Sequence, residues 1–296
     1  MSETEIEAGG RRVRLTHPDK VLFPGEGITK GNLAEYYVRV AEVMIPHIHD
    51  RPMSQHRWPD GIGGQDFWHK QVPRYFPKWV KRVQVSTSKG PQQQVLANEP
   101  ATLAYLANQN CITPHVWQSR RPRLAKPDLV ILDLDPATER DFAAVRAGAR
   151  ILRGLLQDLG LAPFVKTTGS KGLHVTVPIE PTADFERVHR FADTIASRLV
   201  EEDPDHFTTE FYKQQRQGRV FVDTGRNAYG QTAVPPYAVR ARPGAPVATP
   251  VAWDELGRIT PERFTIRNLF RRLGGRGDPW KDIDRHARSL PPAPGR

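Results

Sequence analysis

Apolar residues recur at helical spacing early in the chain. Leu33, Tyr36, Tyr37, Val40, Val43 and Met44 fall at offsets 0, 3, 4, 7, 10 and 11, which predicts one buried helix face over Thr29 to Ile45, with Pro46 ending the helix. From Arg51 to Ser88 aromatic-rich pieces alternate with Pro and Gly, as in Arg57-Trp58-Pro59-Asp60-Gly61, and read as small strands and loops. Ala101 to Gln109 reads as a short helix.

Farther along, the period changes. Leu129 to Asp135 is almost entirely apolar and ends in two acids, the mark of a strand covered on both faces. Phe142, Val145, Ala149, Leu152, Leu156 and Leu159 return at offsets 0, 3, 7, 10, 14 and 17, an amphipathic helix closed by Gly160. Phe164 to Thr168 and Leu173 to Ile179 read as strands joined by the turn Gly169-Ser170-Lys171-Gly172. A second helix carries Phe185, Val188, Phe191, Ile195 and Leu199 on one face, and Arg219 to Asp223 is a last short strand. The succession β-α-β-β-α-β predicts an α/β (α+β) fold, a split βαβ or RRM-like antiparallel sheet with helices on one face. Tyr237 to Arg242 also looks strand-like. The Pro/Gly/Arg-rich end, Gly274 to Arg296, reads as a loosely held basic tail.

Composition bounds the function. In 296 residues, 43 Lys+Arg stand against 33 Asp+Glu, a formal net charge of +10, which favours a polyanionic partner without specifying chemistry. No apolar run reaches the ~18–20 residues of a membrane span, and the acidic, polar start does not have the form of a signal peptide. A soluble cytoplasmic protein with no membrane partner is therefore expected. One cysteine, Cys111, excludes an internal disulfide framework and a zinc site of several thiolates.

Asp133 and Asp135, two apart on a strand, share a face. Two neighbouring carboxylates repel, and an oxygen-only pair suits a hard divalent cation, Mn²⁺ or Mg²⁺; capping of the following turn is the plainer alternative. Asp223 closes another apolar strand, so three carboxylates on one sheet are expected to hold two ions. The turn Thr167 to Gly172 offers N–H groups, a hydroxyl and an ammonium to a phosphate. It leads into a strand and is not a P-loop, and a purely structural turn is its other reading. His174 shares a strand face with Thr176. Lys213, Arg216 and Arg219 precede the third acid, Arg226 follows it, and Arg240 and Arg242 come later. Guanidinium groups among them suit a triphosphate, the rest being solvated surface. Lys20 and Lys30 flank the turn Phe23-Pro24-Gly25-Glu26-Gly27, and Phe67-Trp68 lies between polar stretches. Exposed rings beside lysines suit stacking and backbone binding of nucleic acid, with core packing as the alternative for each ring.

These residues resemble the polymerase domain of bacterial ligase D, a branch of the archaeo-eukaryotic primase superfamily that serves non-homologous end joining. The likeness rests on Thr16-His17-Pro18-Asp19-Lys20-Val21-Leu22-Phe23-Pro24, Arg57-Trp58-Pro59-Asp60-Gly61, Asp133-Leu134-Asp135-Pro136, Gly169-Ser170-Lys171-Gly172-Leu173-His174 and Val220-Phe221-Val222-Asp223, in family order. It implies one primase-polymerase domain over 1–273, with an N-terminal subregion of about 11–125 packed against a catalytic core of about 126–273, and the tail 274–296. Asp133, Asp135 and Asp223 would bind two metal ions, manganese preferred, and transfer a nucleotide from an NTP or dNTP to a 3′-hydroxyl. Ser170, Lys171, His174, Arg216 and Arg240 would hold the incoming nucleotide, with the active-site histidine at His115. Lys20 and Lys30 match the lysines that grip the 5′-phosphate of a broken end or gap, and Phe67 and Trp68 the rings that stack on template. Two positions depart from the family pattern: its lysine before the Arg-Trp-Pro motif is His56 here, and its serine at the head of the phosphate turn is Thr168. Implied partners are DNA ends or a gapped duplex, Ku and a separate ligase, in a nucleoid-associated protein that stands alone or is one domain of a larger one.

Other readings stay open on sequence. A non-catalytic end-binding module shares the positive charge. A phosphatase of the haloacid dehalogenase type shares the strand ending in Asp-x-Asp, but wants Thr or Val where Ala137 stands. A nucleotide-sugar glycosyltransferase shares Asp-x-Asp with Mn²⁺ and leaves the lysine pair unexplained.

Overall fold

Charges alternate with less polar positions along the N-terminus. Glu3–Ala8 (β1) and Arg11–Thr16 (β2) pair antiparallel, with Glu5 opposite Arg14 and Glu7 opposite Arg12. Acids meet arginines on one face while Ala8, Val13 and Leu15 are buried on the other. The computed structural model describes residues 2–138 and 142–292. The chain divides into two units: residues 2–117 with Thr232–Ala248 and Phe264–Arg271, and Gln118–Gln231 with Thr249–Arg263 and residues 272–292.

In the first unit, β3 (Val21–Phe23) and β4 (Ile28–Thr29) lead into α1 (Lys30–Ile48). Thr29 caps it: its hydroxyl accepts the Asn32 N–H, and the Asn32 side chain accepts the Thr29 N–H in return. The expected apolar face is buried, but the helix passes through Pro46 to Ile48. A proline in the last turn forfeits a single donor, and only two residues follow it. The strands β5 (Met53–Arg57), β6 (Phe67–His69), β7 (Arg82–Thr87), β8 (Gly90–Val95) and β9 (Cys111–Val116) make one sheet in which β5 pairs with β9 along its length and with β6 over Gln55–Arg57. Between β8 and β9, α2 (Pro100–Asn108) packs on α1. Tyr237 to Arg242 is not a strand; Tyr237 sits at φ +66°, which breaks an extended run, and Val239 alone forms a bridge, to Val247.

The second unit holds β10 (Leu129–Asp135), α3 (Phe142–Asp158), β11 (Phe164–Thr167), β12 (Leu173–Pro178), α4 (Phe185–Glu202), β13 (Phe207–Thr208), β14 (Val220–Asp223) and β15 (Pro250–Val251). They form one sheet in the order β13-β14-β10-β12-β11-β15, antiparallel except for β13 and β14. Its four central strands are the expected split βαβ unit; the two-residue edge strands had no pattern to announce them. Along β10, Val130, Leu132 and Leu134 are fully buried on one face, while Asp133 and Asp135 lie on the other. The basic end of the chain is not loose over its described part. Trp280, Ile283 and Leu290 are buried, the Trp280 indole N–H donates to the Val165 carbonyl at 3.1 Å, and Arg288 bridges to Ile179. Apolar side chains spaced through the basic run do the anchoring.

Candidate active site

Register brings the acids of the second unit together. Asp133 on β10 stands opposite Asp223 on β14 and, on its other side, opposite His174 on β12; His174 in turn faces Lys166 on β11. Acid, acid, imidazole and ammonium thus form one row across four strands, and Asp135 lies two residues farther along the same face, opposite Phe221. Lys166 was not singled out from sequence. A lysine inside the otherwise apolar Phe164-Val165-Lys166 run, only 2% exposed, was the available signal.

Each carboxylate already meets a cation. Arg226 spans two of them, Nε at 3.9 Å from Asp133 and Nη2 at 3.4 Å from Asp223, and Arg216 Nη1 stands 3.6 Å from Asp135. The Gly225 N–H donates to Asp223 Oδ1 at 2.8 Å. Burial pushes Asp133 up, but His174, Arg226 and Lys166 outweigh it and hold the carboxyl below its ordinary range. Asp135 goes the other way, raised by burial and by the neighbouring Asp133. His174, with Nε2 at 3.4 Å from Asp133, is pushed down to about 4 by burial and Lys166, and is neutral at pH 7. Its Nδ1 is buried without a hydrogen-bond partner.

The turn at 168–172 is closed by Thr168, whose hydroxyl donates to the Gly172 carbonyl at 3.1 Å and accepts the Gly172 N–H at 3.2 Å. Gly169 takes φ +63°. Gly172 runs so close to β10 that a Cβ there would lie 2.0 Å from the Leu134 carbonyl oxygen, between the two aspartates. Ser170 and Lys171 line a cavity of about 380 Å³ with Asp135, Lys213 and Arg216. Arg216 is fixed by donating to the Glu210 and Phe211 carbonyls and by lying 3.9 Å over the Phe221 ring. Three cations and one acid in such a space suit a polyphosphate with a counter-ion.

The remaining sequence candidates belong to the first unit. Lys20 and Lys30 line a cavity of about 520 Å³ with Thr16, His17, Arg57 and Asn110; Arg57 is a third cation there that sequence reading left out. Lys30 is buried and donates to the Thr16 carbonyl at 2.7 Å, while Lys20 pairs with Asp60 at 3.0 Å. Burial, then Lys20 and Arg57, push the Lys30 ammonium down to about 8. Phe67 and Trp68 are exposed on β6, at 42% and 48%. Trp68 stacks flat on His56, ring centroids 4.4 Å apart at 6°, and meets His115 edge-on at 4.7 Å. His56 Nε2 lies 2.5 Å from Asp66, an acid not singled out from sequence. Arg57 stands 5.2 Å over Phe67. Arg240 also lies in this unit, its backbone N–H donating to the Pro246 carbonyl at 2.8 Å.

Comparisons with known proteins identify the family and the fold. The profile of the family described as "LigD, primase-polymerase domain" matches residues 29–280. The chain is 33% identical over 278 residues to a multifunctional non-homologous end joining protein LigD of Mycolicibacterium smegmatis, covering 93% of this chain and 36% of that protein. It is 32% identical over 273 residues to the one of Pseudomonas aeruginosa, covering 91% and 32%. The chain thus spans about a third of the length of these curated relatives. The solved polymerase domain from Mycobacterium tuberculosis ligase D, in complex with DNA, superposes with a TM-score of 0.87 at 34% identity, over 93% of this chain and 99% of that one. The chain belongs to the LigD primase-polymerase domain family, and the α/β fold and nucleotidyltransferase class expected from its sequence stand with that membership.

Proposed function

We propose that the protein is a metal-dependent, template-directed nucleotidyltransferase that adds NTPs or dNTPs to a 3′-hydroxyl at DNA breaks or gaps, in non-homologous end joining or gap repair. The observation that carries this reading is the row of Asp223, Asp133 and His174 beside a cationic cavity bearing Ser170, Lys171 and Arg216. Family membership removes the ground for the phosphatase and glycosyltransferase alternatives, and a non-catalytic module has no physical need of a repulsive acid cluster.

The donor set suits a hard divalent cation, since Asp133, Asp135 and Asp223 offer only oxygen on one sheet face. Among the described residues no three His, Cys, Asp or Glu side chains stand as a preformed metal group, and Arg226 and Arg216 supply the positive charge instead. The Asp135 carboxyl is raised by burial first and by the Asp133 charge second, and a bound cation would offset both. Asp133, Asp135 and Asp223 would hold Mn²⁺ or Mg²⁺, which would supply Lewis acidity for transfer to the hydroxyl with loss of pyrophosphate. Lys171, Ser170 and Arg216 hold the triphosphate and offset its charge as pyrophosphate leaves, and neutral His174 orients Asp133. Arg240, His115 and His56 are assigned to nucleotide binding, Phe67 and Trp68 to template stacking, and Lys20 and Lys30, now with Arg57, to the 5′-phosphate of the downstream strand. Ku, a separate ligase and a cytoplasmic, nucleoid-associated setting belong to the same proposal.

The test is primer extension on a gapped duplex with Mn²⁺, with and without the 5′-phosphate, comparing NTP with dNTP. Extension that is stimulated by the 5′-phosphate is expected. No extension overturns the reading; extension indifferent to the phosphate removes the role of Lys20, Lys30 and Arg57 alone.

A further inference from the structure

One large ring of the first unit stands exposed beside the cavity of Lys20 and Lys30. Tyr75 is 61% exposed, yet it is held at both ends. Its hydroxyl accepts a hydrogen bond from Arg57 Nη1 at 3.1 Å, and its ring meets Phe76 edge-on at 5.4 Å. Phe76 is buried and packs edge-on in turn against Tyr105 at 5.0 Å. The turn that carries Tyr75 is closed by the Phe76 N–H, which donates to the Pro73 carbonyl at 3.1 Å, and Val72 and Val80 are buried on either side of it. A ring fixed in this way gives up little freedom when a flat partner covers it. Uncovered, it leaves apolar surface in water.

Arg57 links this ring to the cavity. It lines the space of about 520 Å³ with Lys20 and Lys30, lies 5.2 Å over Phe67, and donates to Tyr75. One guanidinium therefore touches the space assigned to a phosphate and two exposed rings. Between Asp66 and Glu99 the chain carries no acid, while Lys70, Arg74 and Lys78, all exposed, flank Tyr75. Positive charge draws a polyanion, and a rigid ring adds stacking, the combination that suits a base next to its own phosphate. A gap or recessed end leaves the outer face of its last base pair without a neighbour. A flat ring placed there supplies the missing stack.

We propose that Tyr75 caps the base of the nucleotide that carries the 5′-phosphate. The proposal rests on the assignment of Lys20, Lys30 and Arg57 to that phosphate and adds a base site to it. The experiment uses the full chain and a fluorescent DNA hairpin with a recessed 5′-phosphate and a single-stranded 3′ overhang, its affinity measured by anisotropy. A second hairpin carries an abasic residue at the phosphorylated 5′ position, and a third lacks the phosphate. Loss of the 5′ base should weaken binding to the wild type about tenfold, the scale of one base–aromatic stack. Tyr75→Ala should weaken the intact hairpin about tenfold and show almost no further loss on the abasic one. Tyr75→Phe, which keeps the ring and loses the bond to Arg57, should bind the intact hairpin as the wild type does. Tyr75 is exposed, so both variants are expected to keep the wild-type melting temperature. Additive penalties, a Tyr75→Ala variant that binds like the wild type, or a Tyr75→Phe variant as weak as Tyr75→Ala overturn the proposal; the last result would make Tyr75 a support for Arg57 instead. The third hairpin separates the two levels. Weaker binding without the phosphate, but no coupling between Tyr75 and the 5′ base, sinks the base site alone, whereas binding indifferent to the phosphate sinks the phosphate assignment and this site with it.

Discussion

Lys30 shows how one residue's setting changes its chemistry. An ordinary lysine stays charged to pH 10, but burial and two neighbouring cations bring this one to about 8. Between about 8 and the usual 10.5 the unfolded chain binds more protons than the native one, so native stability rises with pH across that window. At pH 7 the buried ammonium is a cost on the order of 3 kcal/mol. Lys30→Met should therefore be more stable than the wild type at pH 7 in urea unfolding, with the gain shrinking by pH 10. Its 5′-phosphate stimulation should be lost, and in the wild type that stimulation should fade as pH rises through about 8. Asp135 illustrates the opposite case, an acid raised by burial and Asp133. Asp135→Asn should reduce extension at least about a hundredfold while leaving the melting temperature equal or higher, because the carboxylate proposed to hold metal is lost and with it a buried charge repelled by Asp133. A fall in melting temperature alongside retained extension would assign Asp135 a structural role instead.

At the level of elements, periodicity was a good guide wherever a segment buries one face. The stripes of α1, α3 and α4 and the apolar run of β10 needed only neighbouring residues to be read. Elements without such a stripe were missed or misread: the β1–β2 hairpin, whose pattern is charge against charge, and the two-residue strands β13 and β15. The turn at 168–172 was legible as a turn, yet its closeness to β10 was not. Gly172→Ala places a methyl group where the Leu134 carbonyl stands. It should cost about 1–3 kcal/mol by forcing turn and strand apart, and it should lower extension more than a destabilising change of equal size in α1, measured by urea unfolding and primer extension in parallel.

For the whole molecule, the net charge of +10 predicts DNA binding that weakens steeply with salt. The logarithm of the affinity should fall linearly with the logarithm of salt concentration, and Lys20→Ala should reduce that slope by about 1 without changing sequence preference. An unchanged slope would place Lys20 off the DNA backbone. Charge, apolar periodicity and the local motifs around Asp133, Ser170 and Asp223 were set by sequence alone, because each depends on residues a few positions apart. The tertiary structure decided what depends on residues brought together from a distance. Strand order placed Asp223, Asp133, His174 and Lys166 in one row; loop closure set Arg226 and Arg216 against the acids; and hairpin register stacked Trp68 on His56. Asp133 and Asp223 lie 90 residues apart in the chain, Asp135 and Arg216 81, and His56 and Trp68 12, and pairing across a sheet leaves no periodic trace in the sequence of either strand.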